Sequence, residues 1–314
     1  MITNSALSPC LHIIGSGAIG SLLAAAAARH NVDYVMYPRH LPAFKQYVNW
    51  SDNERIHLHS IRDTKPQLSE NDVLIVPLKV YQIREALLPW APLLDKKTPV
   101  VLMHNGMGGE EIARQLLPSH QPIWLATTSH GAMRQDSHTV IYTGKGGMQI
   151  GVAGEPFAPS GPINSGAAPL PVQLLDQVLP PVTWERNIEL ALWRKLAVNM
   201  VINPLTAIHN VPNRAIAMDE FATLRHTLCR EFVTVAKTCG HHFDPVELEE
   251  LIVSVALKTG ANYSSMHQDV HYNRPTEIDA INGYIVNMAN KKGINVAVNA
   301  LLVEQVKTLS QIIG

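Results

Sequence analysis

Cysteine and charged residues are both scarce in this 314-residue sequence. The three cysteines, Cys10, Cys229 and Cys239, include no CxxC pair, and so odd and sparse a count argues against a disulfide framework or a zinc site. Charged residues make up 16% of the chain and its net charge is −1, so no strong field would attract it to nucleic acid or to an anionic membrane. These features favour a protein of the reducing cytoplasm.

Long hydrophobic runs and metal-binding motifs are also missing. The apolar run Leu22–Ala28 is far shorter than the roughly 20 residues that a membrane span needs. Met1–Pro9 carries no Lys or Arg of the kind that begins a signal peptide. The 15 histidines show no HExxH or similar ligand spacing, so we predict no metal site. The length of 314 residues suggests two domains, and 46% hydrophobic residues fit a globular protein.

A glycine-rich loop follows the first predicted strand. The short apolar run Leu11–Ile14 leads into a Gly-x-Gly-x-x-Gly sequence and then into the Ala-rich segment Ser21–Arg29, which has high helix propensity. In this order the glycines permit a tight turn, close approach to a pyrophosphate and packing of helix on strand, and the helix N-terminus offers N–H groups to phosphate. The sequence therefore predicts a dinucleotide site at Gly15, Ser16, Gly17, Ala18, Ile19 and Gly20.

The end of the second predicted strand, Tyr34–Tyr37, indicates which dinucleotide is bound. An NAD site expects an acidic residue about 20 residues beyond the glycines, for the ribose 2′-hydroxyl. Asp33 comes too early, at the start of the strand, whereas Arg39 lies where a 2′-phosphate would be bound. Its planar guanidinium suits phosphate, which favours NADP(H). The alternative is an Arg that is merely solvated at a strand end.

Two further polar residues follow predicted strands. Lys79 comes after Val73–Val76, and Asn105 comes after Pro99–Met103 in a Gly-rich turn that would bring the backbone close to a ligand. Ligands bind at the carboxyl ends of the strands in an open α/β sheet. Lys79 and Asn105 are therefore candidates for binding the cofactor.

The pattern changes after a fifth predicted strand, Ile123–Thr128. Two short runs, Thr139–Thr143 and Met148–Val152, flank Gly144–Gly147 and predict a hairpin, so that the sheet would end in antiparallel strands. The segment Glu155–Pro171 is rich in Pro, Gly, Ser and Ala without periodicity, which predicts an extended loop.

A helix carrying a polar stripe is predicted to begin near Asn187 and to end at Asn203, because Pro204 disfavours the helical conformation of the residue before it. Lys195, Asn199 and Asn203 are spaced i, i+4 and i+8, which puts them in one row on a helix that is otherwise apolar. The stripe is either a ligand site or a Lys that reaches solvent beside two Asn that bond backbone. Asn203 could also cap the segment that follows.

Later helical segments include a possible capping motif. Thr276 is a natural N-cap with Asp279 as its partner, and Glu277 would lie in the first turn, where the helix dipole favours a carboxylate. Capping alone would explain these three residues; the alternative is a functional role for Glu277. The predicted helices after the polar stripe are Asp219–Thr238, Pro245–Leu257, Thr276–Ala289 and Val296–Ile312.

Taken together, these segments resemble the ketopantoate reductases (2-dehydropantoate 2-reductases). The resemblance rests on the loop Gly15–Gly20, on Asn105-Gly106, and on two longer stretches, 192–207 and 264–283. It implies an α/β fold: a Rossmann-type, mostly parallel sheet with helices over residues 1–184, followed by an all-helical substrate and catalytic domain over 185–314. The implied activity is the NADPH-dependent reduction of ketopantoate to pantoate in pantothenate biosynthesis.

The resemblance also assigns roles to individual residues. Lys195 matches the proton donor, and Glu277 matches an active-site carboxylate that also contacts the cofactor. Beyond the glycine-rich loop, the implied cofactor contacts are Arg39, Lys79, Asn105 and Ala132. The implied substrate contacts are Asn105, Lys195, Asn199, Asn203, Asn213, Asn262, Ser264 and Ser265.

Two other functions fit the sequence. The first is reduction of another 2-oxo acid by an NADP-dependent enzyme of the same two-domain plan. The second is a non-catalytic NADPH sensor, which would not need Lys195, Asn199 and Glu277 together. The expected partners are a small-molecule substrate and at most a second copy of the chain, because no segment declares itself an interface; neither nucleic acid nor membrane is expected.

Overall fold

A computed structural model describes residues 8–39, 47–50, 52–154 and 168–312. It divides into two compact units, one made of Met1–His104 with Gly109–Glu189 and the other of Asn105–Gly108 with Leu190–Gly314. Each unit has its own hydrophobic core. His40 and most of the predicted loop, residues 155–167, lie outside the described residues.

The first unit is built on two sheets. Its strands are β1 (Cys10–Ile14), β2 (Asp33–Tyr37), β3 (Tyr47–Asn49), β4 (Arg55–His57), β5 (Asp72–Val76), β6 (Val100–Met103), β7 (Ile123–Thr128), β8 (Gly131–Arg134), β9 (Thr139–Gly144), β10 (Met148–Val152) and β11 (Val182–Trp184). The main sheet has the order β11-β10-β7-β6-β5-β1-β2, and the second sheet has the order β4-β3-β9-β8. Within the main sheet, β2, β1, β5, β6 and β7 are all parallel, so their carboxyl ends share one edge.

Helices cover the strands of the first unit. They are α1 (Ala18–Arg29), α2 (Val80–Leu87), α3 (Gly109–Leu116) and α4 (Leu170–Val178), with a 3-10 helix at Leu88–Leu93. The middle of α1 is buried from Gly20 to Ala27, because its small side chains pack closely against the strands. The predicted Rossmann-type sheet is therefore confirmed. Leu170 and Pro171, which were predicted to end the loop, already belong to α4.

The predicted hairpin between β9 and β10 is wrong. β9 pairs with β3 and β8 in the second sheet, whereas β10 pairs with β7 and β11 in the main sheet. The glycine-rich connection passes against the chain after β7, where a Cβ on Gly146 would clash with the backbone carbonyl of Ser129. Its glycines therefore permit close backbone packing rather than a tight turn. The main sheet does end as expected, since β10 is antiparallel to β7.

The second unit is helical, as predicted. Its helices are α5 (Ile188–His209), α6 (Ala222–Thr238), α7 (Pro245–Lys258), α8 (Ser265–His271), α9 (Asn282–Lys292) and α10 (Ala297–Ile312), with 3-10 helices at Asn213–Ala217 and Asp219–Phe221. Apolar residues of α5, among them Leu196, Met200 and Leu205, are buried in its core. None of the described helices is long and apolar enough to cross a membrane.

The predicted helix end at Pro204 is wrong, because α5 continues through it for another turn. A proline has no N–H, so it leaves the carbonyl of Met200, four residues earlier, without its helical partner. Asn282 supplies the missing donor, with its Nδ2 at 2.9 Å from the Met200 oxygen. Asn203 therefore lies inside a helix and does not cap the following segment.

The predicted helix start at Thr276 is also wrong, because α9 begins at Asn282. The chain turns at this point: the Glu277 carbonyl accepts hydrogen bonds from the N–H groups of Ala280 and Ile281. Asp279 forms an ion pair with Lys307 at 2.6 Å instead of contributing to a cap. Helix capping therefore does not account for Glu277, whose side chain is buried.

Candidate active site

The glycine-rich loop has the geometry that a dinucleotide requires. Gly15 has a φ of +87° and its N–H donates to the Tyr37 carbonyl at 2.8 Å, which ties the start of the loop to the end of β2. A Cβ on Gly20 would lie 2.9 Å from the Gly15 oxygen, so the third glycine allows α1 to pack closely on the loop. A Cβ on Gly17 would meet nothing within 4 Å, which leaves room for a ligand against the backbone. The loop therefore fits the pyrophosphate of NADPH.

The other predicted cofactor residues of the first unit lie after parallel strands. Arg39 follows β2, is exposed, and forms an ion pair with Glu85 of α2 at 3.0 Å. Lys79 follows β5 and is the N-cap residue of α2. Ala132 lies in β8 opposite Tyr142 of β9, at one edge of the second sheet. Cations at the ends of β2 and β5 are suited to the phosphates of NADPH.

The polar stripe lies on one continuous helix. Because α5 is unbroken from Ile188 to His209, Lys195, Asn199 and Asn203 follow one another at successive turns. Lys195 and Asn199 are half-buried, and Asn203 is buried. The Asn203 carbonyl accepts a hydrogen bond from Thr206 Oγ1 at 3.0 Å. Pro204 thus does not disturb the spacing on which the predicted stripe depends.

A buried carboxylate accompanies the stripe in the second unit. Glu277 is 6% exposed, and its Oε2 accepts a hydrogen bond from Nδ2 of Asn105 at 3.2 Å. Asn105 is held there by its neighbours: the Met107 N–H donates to the Ala280 carbonyl at 2.8 Å. Gly106, with a φ of +73°, leaves no space for a Cβ against Ala280. The structure therefore brings together two predicted site residues that are 172 positions apart.

Lys195 has an altered proton affinity. Burial lowers the pKa of Lys195 to about 8, and the negative charge of Glu277 opposes that shift. Desolvation disfavours the ammonium, whereas a nearby carboxylate favours it. The sequence could not decide between these effects; in the structure burial is the larger. A lysine with a pKa near neutrality is suited to proton transfer.

The remaining predicted substrate residues lie around α8 and the 3-10 helix Asn213–Ala217. Ser265 and Asn262 are exposed. Ser264 is buried and is the N-cap of α8, where its hydroxyl accepts hydrogen bonds from the His267 N–H and from Thr206 Oγ1. Ser264 therefore has a structural role that the sequence did not reveal, because α8 was not predicted.

Asn213 is buried near Asn262. Its N–H donates to the Asn262 carbonyl at 2.9 Å, and its Nδ2 donates to Thr259 Oγ1 at the same distance. Its Oδ1 is buried and has no hydrogen-bond partner among the described residues. A ligand donor would satisfy this oxygen, so the Asn213 carboxamide remains a candidate contact.

A cluster of possible metal ligands that the sequence did not predict lies in the main sheet. The ligand atoms of Cys10, His12 and Asp72 lie within 4.8 Å of one another. His12 already has partners at both ring nitrogens, Tyr37 Oη at 2.8 Å and Asp72 Oδ1 at 3.2 Å. Burial, together with the charge of Asp72, raises the pKa of the Cys10 thiol to about 12. These contacts describe a hydrogen-bonded part of the core.

Two contacts of the candidate site could not be found from the sequence. Arg134 Nη2 donates to the Ser16 carbonyl at 2.7 Å. Asn282 bonds the α5 backbone, as described above, and also Asn299 Oδ1 at 3.0 Å. Both residues bond partners that are distant in the sequence, and neither belongs to a local sequence motif. Asn282 did fall in the stretch that resembles ketopantoate reductases.

The first unit has a glycine loop of this geometry on a parallel sheet, and the helical unit has a half-buried lysine influenced by a carboxylate. Together these features define a dinucleotide-dependent oxidoreductase. Family models identify which one. Ketopantoate reductase PanE/ApbA matches residues 11–155, and Ketopantoate reductase PanE/ApbA C terminal matches residues 187–310. The chain therefore belongs to the ketopantoate reductase family.

Individual relatives match along nearly the whole chain. The 2-dehydropantoate 2-reductase of Vibrio cholerae is 36% identical over 299 residues, covering 95% of this chain and 97% of the relative. That of Escherichia coli O157:H7 is 36% identical over 303 residues, covering 94% and 93%.

Solved structures share the fold at lower identity. D-mandelate dehydrogenase with NADH and anilino(oxo)acetate has a TM-score of 0.85 at 23% identity, covering 96% of this chain and 99% of that one. The dimeric ketopantoate reductase of Staphylococcus aureus has a TM-score of 0.74 at 20% identity, covering 97% and 100%.

Proposed function

We propose that this protein reduces 2-dehydropantoate to pantoate with NADPH, and that Lys195 donates the proton. The observation that carries the proposal is the lowered pKa of the half-buried Lys195, about 8, on a helix face that it shares with two carboxamides. The name of the family's 36% identical members supports the substrate.

The loop Gly15–Gly20 would hold NADPH, which would supply the hydride for the ketone carbon and become NADP⁺. Lys195 binds the ketone oxygen through its ammonium group, stabilises the charge that develops there, and transfers a proton to give the hydroxyl of pantoate. Loss of this proton costs less here than in water, because burial lowers the pKa of Lys195, and the neutral amine takes up a proton from solvent before the next turnover.

The other polar residues orient the substrate and the lysine. Asn199, Asn203 and Ser265 bind the carboxylate and hydroxyl of the substrate through neutral hydrogen bonds, which hold the ketone in position for transfer. Glu277 raises the pKa of Lys195 and so favours its ammonium form, and Asn105 fixes the Glu277 carboxylate by the hydrogen bond at 3.2 Å.

Consumption of NADPH in the presence of ketopantoate tests this function. We expect steady loss of NADPH absorbance with ketopantoate, and slower turnover with NADH. Binding of NADPH without turnover of any 2-oxo acid would instead identify a sensor and contradict the proposal.

A second candidate is the reduction of another 2-oxo acid. The relative with the TM-score of 0.85 is a D-mandelate dehydrogenase, whose fold serves a different substrate. A panel of 2-oxo acids with and without a 4-hydroxyl group separates the candidates. A higher kcat/KM for a substrate that lacks this hydroxyl would favour the second.

For location and assembly, we propose a cytoplasmic protein that is a monomer or a homodimer. The three free thiols, Cys10, Cys229 and Cys239, support a reducing compartment. The Staphylococcus aureus relative is described as dimeric, and sedimentation of the purified protein decides between the two states.

A further inference from the structure

We propose that Arg134 is a positioning residue for the pyrophosphate of NADPH. Arg134 ends β8, and its Nη2 donates a hydrogen bond of 2.7 Å to the carbonyl oxygen of Ser16, inside the glycine-rich loop. Hydrogen bonds from a charged donor are about twice as strong as neutral ones. The inference rests on the proposed function, in that it takes the loop Gly15–Gly20 to bind the pyrophosphate.

The geometry of the peptide bond explains how a contact at Ser16 acts on the ligand. In a planar trans peptide the carbonyl of one residue and the N–H of the next point in opposite directions. A guanidinium that holds the Ser16 carbonyl therefore turns the Gly17 N–H away from Arg134. The position of Gly17 is open, since a Cβ there would meet nothing within 4 Å. Arg134 thus fixes the N–H of the residue that has free space beside it.

Both ends of this contact are held in place by other parts of the first unit. Arg134 pairs with Val140 of β9, which anchors its backbone in the second sheet. The loop is held on its other side by the bond from the Gly15 N–H to the Tyr37 carbonyl. The positive charge of Arg134 also favours a pyrophosphate near the loop, and salt screens this contribution.

Binding measurements on the full-length protein test the role of Arg134. The variants are Arg134→Met, which removes the donor and the charge, and Arg134→Lys, which keeps the charge with a different donor. Arg186→Met is the matched control, because Arg186 is an exposed arginine of the same unit beyond β11. The dissociation constants of NADPH, NADH and adenosine 2′-monophosphate are measured by nucleotide fluorescence or calorimetry, with the melting temperature of each variant.

We expect Arg134→Met to raise the dissociation constants of NADPH and NADH by a similar factor, roughly tenfold, which corresponds to the loss of a charged hydrogen bond. Adenosine 2′-monophosphate, which has no pyrophosphate, should bind as it does to the unaltered protein. Arg134→Lys should be intermediate, and Arg186→Met should be without effect.

Other results would overturn the inference. Unchanged affinities in Arg134→Met would do so, as would a loss confined to NADPH, which would place Arg134 at the 2′-phosphate. Equal losses in Arg134→Met and Arg186→Met would indicate a general charge effect. If the unaltered protein itself fails to bind NADPH, the proposed function fails first, so the two failures are distinguishable.

Discussion

Asn105 Nδ2 lies 3.2 Å from Glu277 Oε2, and this hydrogen bond joins the turn after β6 to the turn before α9. The carboxylate that it holds raises the pKa of Lys195, against the larger effect of burial. The protonation of Lys195 therefore depends on the Asn105–Glu277 pair as well as on its own surroundings.

Activity should fall as the pH rises through the pKa of Lys195, about 8, because only the ammonium form can donate a proton. Glu277→Gln removes the charge that raises this pKa. The alkaline loss of kcat in the variant should then occur at a lower pH than in the unaltered enzyme. Profiles of kcat against pH check this; superimposable alkaline limbs would show that Glu277 does not influence the proton donor.

Because Arg39 and Glu85 form an ion pair, substitutions of the two residues should change the preference for NADPH over NADH in opposite directions. Arg39→Ala should weaken the binding of NADPH by roughly 10–100-fold, because charged hydrogen bonds to the 2′-phosphate are lost. The binding of NADH should stay nearly unchanged. Glu85→Gln frees Arg39 from a competing carboxylate and should strengthen the binding of NADPH about two- to fivefold. The effect is small because exposed ion pairs are weak. The ratio of kcat/KM for the two coenzymes measures both effects. An equal fall in kcat/KM with NADH in Arg39→Ala would contradict the assignment of Arg39 to the 2′-phosphate.

Two glycines of the same loop should respond differently to an added methyl group. Gly17→Ala fits the structure, because the position is open and its backbone is extended, but the methyl group would block a pyrophosphate. We expect weaker NADPH binding with an unchanged melting temperature. Gly20→Ala would bring a Cβ to 2.9 Å from the Gly15 oxygen and should destabilise the protein by about 1–3 kcal/mol. Unchanged NADPH affinity in Gly17→Ala would show that the ligand does not approach this backbone.

Asn282 should be important for stability because it bonds the Met200 carbonyl that Pro204 leaves without a helical partner. Asn282→Ala would bury this oxygen unsatisfied, at a cost of about 1–3 kcal/mol in the free energy of unfolding. Asn287→Ala, on the exposed side of the same helix, is the matched control and should change stability little. Equal midpoints of chemical denaturation for the two variants would contradict this role.

The sequence was informative where the residue types of a short segment were enough to determine its structure. The glycine loop and the buried strands that precede Gly15, Lys79 and Asn105 were predicted correctly, because buried parallel strands are continuous apolar runs. β3 and β4 have three residues each, too few for a pattern to be recognised.

The errors arose where a distant partner replaced a local one. Pro204 does not end α5, because Asn282 satisfies the carbonyl that it frees. Thr276 does not begin α9, because the chain turns so that Glu277 is buried. At both positions a hydrogen bond between residues distant in the sequence, Asn282 to Met200 and Asn105 to Glu277, accompanies a structure that local propensity did not predict.

The central claim, that Lys195 donates the proton, is tested most directly by kcat of Lys195→Ala with saturating NADPH and ketopantoate. We predict a fall of about 10²–10⁴-fold, the usual contribution of a general acid, while the dissociation constant of NADPH and the melting temperature stay close to those of the unaltered protein. A variant that keeps near-normal kcat would contradict the claim and remove Lys195 from the chemistry.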